Sequence, residues 1–255
     1  MATNLRTAGD AGADESRSGS GAFPATHWSL VLAVGGENSG AAGEALEQLC
    51  RAYWYPLYAF ARRLGHPPAD AQDLTQGFFA ELIERRLVTR ADADRGRFRT
   101  FLLGAFKRSM LSERRAAAAQ KRGGGKEWLS LDGAEGEARF AREAATHETP
   151  EVAFERQWAL SILDQALRHL EAEFRRTGRE ALYTHLHPYL QGDHDSGTYA
   201  EAARALGTTE ATIKVTAHRM RQRYRELLRF TILQTVESPL LVDEELRHLL
   251  AALRR

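Results

Sequence analysis

The sequence predicts an all-α protein built as two helical domains, and three observations predict it. Almost no segment shows the period-two alternation of a strand. Apolar residues instead recur at helical spacing, from Leu46, Leu49, Tyr53 and Leu57 near the start to Leu246, Leu249 and Leu253 near the end. Glycine and proline punctuate these runs at Gly65-His66-Pro67-Pro68, Gly123-Gly124-Gly125, Pro150, Gly207 and Ser238-Pro239, where helices stop or start.

Residues 1–22 are rich in Gly, Ala, Ser, Asp and Thr without apolar periodicity and read as a disordered leader. A first domain spans residues 23–115. Its first helical period runs on through Phe60 and Leu64 to Gly65, and Pro68 or Ala69 opens the next helix, with an apolar face of Ala71, Leu74, Phe78, Phe79, Leu82 and Ile83. After a polar loop from Asp92 to Gly96, Phe98, Phe101, Leu102, Ala105, Phe106 and Met110 mark a third long helix with basic residues on its other faces. Residues 116–150 shift to Ala, Gly, Glu and Lys and read as a linker, with room for short helical pieces.

A second domain spans residues 151–230 and opens on the stripe Phe154, Trp158, Leu160, Ile162, Leu163, Ala166, Leu167 and Leu170. Its most informative stretch runs from Thr198 to Leu228. Ala200, Ala203 and Leu206 recur at helical spacing, Gly207 supplies a tight turn, and Thr208 or Thr209 caps a second helix carrying Lys214, His218, Arg219 and Arg223. Ile213, Val215 or Thr216, Met220, Tyr224 and Leu227 give that helix its apolar stripe. The pattern is a helix-turn-helix that leaves Glu210, Ala211, Thr212 and Lys214 free to enter a DNA major groove. Residues 231–255 form a C-terminal extension in which Leu240, Leu241, Leu246, Leu249, Leu250 and Leu253 make an amphipathic helix led by Glu244 and Glu245.

The chain has 255 residues, 43% hydrophobic and 27% charged, which is globular chemistry. The formal charge of +1 conceals an uneven distribution: from Arg85 to Lys126 thirteen basic residues face three acidic ones, a run that marks a polyanion contact. Cys50 stands on an apolar stripe as a reduced core residue, and a single cysteine allows no internal disulfide. No apolar run approaches the ~20 residues of a membrane span, and no signal-peptide core is present, so a cytoplasmic location without membrane contact is expected. His185, His187 and His194 lack a carboxylate or cysteine at ligand spacing, and no nucleophile–base–orienter pattern occurs elsewhere. The sequence therefore predicts no metal, no cofactor and no enzymatic activity.

Three segments carry a resemblance. Tyr53-Trp54-Tyr55-Pro56-Leu57-Tyr58-Ala59-Phe60-Ala61-Arg62-Arg63, Asp70-Ala71-Gln72-Asp73-Leu74-Thr75-Gln76-Gly77-Phe78-Phe79 and Gly96-Arg97-Phe98-Arg99-Thr100-Phe101-Leu102-Leu103, followed by the helix-turn-helix, resemble the extracytoplasmic-function (ECF) group of bacterial sigma-70 factors. The resemblance implies a region 2-like domain that opens the −10 element and a region 4-like domain that reads the −35 element. It implies as partners core RNA polymerase, through the β′ clamp and β flap, and promoter DNA. It places Asp70, Asp73, Gln76 and Phe79 on the clamp-docking helix. Arg97, Phe98, Arg99, Lys107 and Arg108 fall where the family meets the melting −10 strand, beside a base-capturing loop from Val88 to Arg95. Thr209, Glu210, Ala211, Thr212, Lys214, Val215, Thr216, His218 and Arg219 fall on the −35 reading helix. A stand-alone helix-turn-helix regulator is the alternative.

The chain departs from the family pattern on the docking helix, where Gln72 and Gly77 stand in place of two glutamates. Two negative charges are missing, and phosphorylation of the intervening Thr75 by a Ser/Thr kinase would bring about −1.5 to −2. Lys107-Arg108 likewise replaces a common Arg-Asn pair. The C-terminal helix is expected to pack on one of the domains, or else to act as an autoinhibitory or regulator-binding helix over a polymerase-facing surface.

Overall fold

The computed structural model describes residues 39–84, 97–119, 133–143, 148–190, 199–236 and 238–254. Among them every regular element is helical: α1 (Ser39–Arg63), α2 (Pro68–Glu84), α3 (Phe98–Ala119), α4 (Gly133–Glu143), α5 (Pro150–Arg176), α6 (Glu180–Leu186), α7 (Tyr199–Ala205), α8 (Glu210–Leu233) and α9 (Val242–Arg254), with 3-10 turns at His187–Leu190 and Pro239–Leu241. The leader expected over residues 1–22 and the loop from Val88 to Arg95 lie outside the described residues.

α1 is the central rod. Ala52, Tyr53, Trp54, Tyr55, Leu57, Tyr58, Ala59, Phe60 and Ala61 are all buried, so the helix is enclosed rather than half-exposed. Phe106 of α3 joins α1 to α2, with its ring 6.3 Å from Phe60 and 5.2 Å from Phe78. Gly65 ends α1 at φ +90°, a left-handed conformation that glycine adopts without Cβ strain. Its N–H donates to Arg62 O and the His66 N–H to Ala61 O, closing the last carbonyls.

α5 is the second rod, and its contact with α1 is the most extensive between helices among the described residues. Thr149 caps it by accepting from the Val152 N–H at 3.3 Å, and Pro150 occupies the first turn, where no N–H is needed. Phe154, Trp158, Ile162, Ala166 and Leu170 are fully buried and form the seam, whereas Leu160, Leu163 and Leu167 of the expected stripe are only half-buried. The buried residues of α1–α3 and of α5–α9 join in one core.

Within the segment expected as a linker, α4 docks on α1. Glu137 receives two hydrogen bonds from Arg62, at 3.0 and 2.9 Å, and one from the Tyr58 hydroxyl at 2.5 Å. The Arg62 guanidinium beside Glu137 holds its carboxyl below the usual range. Gly136 lets the backbone approach, since a Cβ there would stand 3.0 Å from the Trp54 ring. Burial, with Glu47 adding to it, pushes the Cys50 thiol up to about 12, in keeping with an inert reduced cysteine.

α9 packs on α5 and α8, with a stripe that differs from the one expected. Leu240 is 90% exposed and Leu250 is exposed, whereas Val242, Glu245, Leu249 and Ala252 are buried. The 3-10 turn turns Leu240 outward, and the helix inserts Glu245 where a leucine-lined face was expected.

Candidate nucleic-acid interface

α7, the turn at Gly207 and α8 form as the local rules require. Gly207 turns at φ +64°, and the Thr208 N–H donates to Ala203 O at 2.9 Å, ending α7. Thr209 then caps α8, its hydroxyl accepting from the Thr212 N–H at 3.2 Å. Ile213, Ala217, Met220 and Leu227 are buried, while Arg221 reaches the Tyr199 hydroxyl at 2.5 Å and Tyr224 donates to Leu163 O at 3.3 Å. α8 is thereby fixed to both α7 and α5.

Its other face is open. Thr209, Glu210, Ala211, Thr212, Lys214, His218 and Arg219 are exposed, and Val215 is 52% exposed, so Val215 belongs to the outer surface rather than to the stripe. Thr216 is half-buried and returns its hydroxyl to Thr212 O at 2.8 Å. Glu210 pairs with Lys214 one turn on at 2.7 Å, an exposed contact that a polyanion can displace at little cost. Arg223 is exposed but already paired, with Glu173 of α5 at 2.9 and 2.6 Å and with Glu226 on its own helix at 2.8 Å.

The start of α3 is closed. Phe98 is buried edge-on against Tyr53 at 5.3 Å, so it is a core residue and not a free stacking platform. Arg99 is 3% exposed. Its guanidinium lies over the Trp158 ring at 4.4 Å, donates to Glu155 of α5 at 2.7 Å and pairs with Glu245 of α9. Arg97, partly exposed, pairs with Glu244, donates to His248, and lies 3.1 Å from Glu245. In this structure Arg97 and Arg99 are therefore not open to DNA: carboxylates from two other helices neutralise them. Lys107 pairs with Glu151 at 2.6 Å, and Arg108 is exposed.

On α2, Asp70 and Asp73 are exposed and Gln76 is half-buried, but Phe79 is buried and faces the core. Thr75, the candidate for phosphorylation, is 0% exposed. Its hydroxyl donates to Ala71 O at 2.7 Å, so it offers no group to a kinase in this fold. The signal was present in the sequence, because Thr75 lies four residues after Ala71 and three before Phe78, both buried. Gly77 adjoins another carboxylate: a Cβ there would stand 3.2 Å from Glu113 Oε1. Burial, then the Glu81 and Asp73 carboxylates, raise the Glu113 carboxyl above its ordinary range. α3 thus sets a carboxyl group beside Gly77, where this chain lacks the glutamate of the family pattern.

No cluster of potential metal ligands occurs among the described residues, and His194 lies outside them. No helix among the described residues is long and apolar enough to cross a membrane. Neither curated proteins nor solved structures give a match. Residues 49–120, which contain most of α1, all of α2 and α3 and the covered arginines, match the family model for Sigma-70 region 2, and this match supports membership of the chain in the sigma-70 family.

Proposed function

We propose that the chain is a sigma initiation factor of the ECF type, which recruits core RNA polymerase to promoters and has no catalytic activity of its own. The observation that carries this reading is the region 2 match over residues 49–120 joined, in one chain, to a capped helix-turn-helix with an exposed reading face. In this reading α1–α3 form the region 2-like unit and α5–α8 the region 4-like unit. Asp70, Asp73 and Gln76 meet the basic clamp of the polymerase, supported by Glu113 and Glu81 on the same acidic face. α8 enters the major groove of the −35 element, with Lys214, His218 and Arg219 at its edge and Ala211 and Thr212 close to the bases. Arg97, Arg99, Lys107 and Arg108 serve the −10 strand. Phosphorylation of Thr75 by a kinase is no part of this reading, because the hydroxyl is buried and bonded.

A stand-alone regulator is the second reading. One feature favours it: the face of α8 is open while the α3 arginines are covered, as in a protein that reads DNA without polymerase. Core-polymerase pull-down with in vitro transcription separates the two. Retention of the chain by core polymerase, lost in Asp70→Lys/Asp73→Lys, is expected of a sigma factor. Tight site-specific binding by the chain alone, unaffected by those changes, would sink that reading.

A further inference from the structure

The carboxylates around the start of α3 come from distant parts of the chain. Glu155 lies 56 residues after Arg99, Glu245 146 residues after it, and Glu244 147 residues after Arg97. A basic pair that the sigma reading assigns to phosphate contact therefore already holds a full set of anionic oxygens. Exposed surface pairs form and exchange easily, but Arg99 and Glu245 are buried together, so this arrangement excludes any other anion.

Geometry gives a second, independent reason for a closed state. The −10 and −35 elements are 25 base pairs apart, roughly 85 Å of duplex at about 3.4 Å per pair. A compact chain of 255 residues has a radius of gyration of about 18 Å and so a diameter of about 45–50 Å. With α5 seated on α1 and one shared core, α3 and α8 belong to a single body too short to reach both elements at once. Simultaneous reading requires the α5–α8 unit to leave α1, and α9, packed on α5 and α8, leaves Arg97 and Arg99 with it.

We propose that α9 is an autoinhibitory clasp in which Glu244 and Glu245 occupy the positions of DNA phosphates on Arg97 and Arg99, so that the free protein is closed to the −10 strand and promoter engagement displaces the helix. This rests on the sigma reading of α3. The clasp also accounts for the acid at position 245: a leucine would bury the stripe of α9 equally well, whereas a carboxylate silences the arginines. Its neutralising groups are fixed to the far unit, by Arg229 to Asp243 at 2.5 Å and by the packing of Val242, Leu249 and Ala252. Opening the protein and freeing the arginines are then one event.

The test compares the full-length chain with Glu244→Gln/Glu245→Gln, which keeps shape and hydrogen-bond acceptors but removes both charges. Fluorescence anisotropy with a labelled random-sequence single-stranded DNA measures access to the arginines. The expected result is roughly tenfold tighter binding by the variant, equivalent to about 1.4 kcal/mol. Hydrogen exchange on the wild-type chain reads the same event without a substitution. Residues of α1 and α5 that face each other across the seam should be protected in the free chain and lose protection in a complex with core polymerase and pre-melted bubble DNA, while α9 stays with α5 and α8. Unchanged affinity, or a seam that stays protected in that complex, overturns the clasp and leaves the sigma reading intact. If core polymerase retains neither chain, the sigma reading fails, whereas the DNA-only measurement still decides whether α9 masks the arginines.

Discussion

Arg99 and Glu245 stand 146 residues apart in sequence and meet as an ion pair whose side chains are 3% and 5% exposed. Each has a second partner, Glu155 for Arg99 and Arg97 for Glu245, so the pair is the centre of a network joining α3, α5 and α9. Desolvating two charges is costly, and the network offsets that cost only while every member is present.

Glu245→Leu leaves Arg99 with Glu155 alone and is expected to lower stability by about 3 kcal/mol, the lower end for a broken buried pair. Arg99→Met/Glu245→Leu should recover most of this, because an apolar pair of similar volume needs no counter-charge. Denaturant unfolding of the single and double variants measures the difference; equal losses in the two would show that packing, not charge, holds α9.

Thr75→Glu places an unpaired carboxylate in a fully buried site and is expected to cost at least about 3 kcal/mol. Thr75→Val keeps the shape, and Ala71 O retains its helical partner, so a change within about 1 kcal/mol is expected. Thermal unfolding reads both, and a stable Thr75→Glu chain would contradict the burial.

At Gly77, the carboxylate of Glu113 is the far end of a flexible side chain and can yield by a few tenths of an ångström. Gly77→Ala should therefore be neutral or stabilising by up to about 1 kcal/mol, the helix preference for alanine. Gly77→Glu adds a carboxylate beside Asp73, Glu81 and Glu113 and should destabilise at pH 7. Glu113→Gln should relieve it. Because the Glu113 carboxyl is raised in the fold, its contribution is present below the ordinary glutamate range and lost as pH rises through the raised value. Urea midpoints of wild type and Glu113→Gln between pH 4 and 7 should converge at the acid end.

His248 supplies a pH response in α9. Burial, then Arg97 and Arg99, lower its imidazole, with Glu244 opposing. Arginine has only donors, so the bond from Arg97 requires a neutral Nε2 acceptor. A depressed value means stability present above the ordinary imidazole value of about 6.5 and lost as pH falls through the folded value. The lowered Glu244 carboxyl acts in the same sense at more acidic pH. NMR titration should place His248 below 6.5, and His248→Gln should flatten the loosening of α9 between pH 7 and 5; a value above 6.5 would refute the assignment.

Gly207→Ala forces a Cβ into the left-handed region and is expected to cost about 1–2 kcal/mol. Thr209→Ala removes the cap of α8 at about 1 kcal/mol. Both should fray the first turn of α8 by amide exchange while leaving α1–α3 unchanged; uniform loss of protection would mean that the helix-turn-helix and the α1–α3 unit unfold together.

The sequence by itself determined the helices and their ends. Gly65, Pro150, Gly207 and Thr209 act through hydrogen bonds within about four residues, and each does in the structure what local chemistry predicts. The burial of Thr75 and Glu245 follows the same periodicity, since both sit at i, i+3 or i+4 from buried apolar neighbours, although their residue types favour the surface. Only the tertiary structure decided which charges are free. Arg97 and Arg99 belong to a basic run that reads as a DNA contact, yet their partners Glu244, Glu245 and Glu155 lie more than 50 residues away. Local sequence fixes a backbone because its hydrogen bonds are short-range; it cannot fix the neutralisation of a charge, which depends on which distant surface the core brings against it.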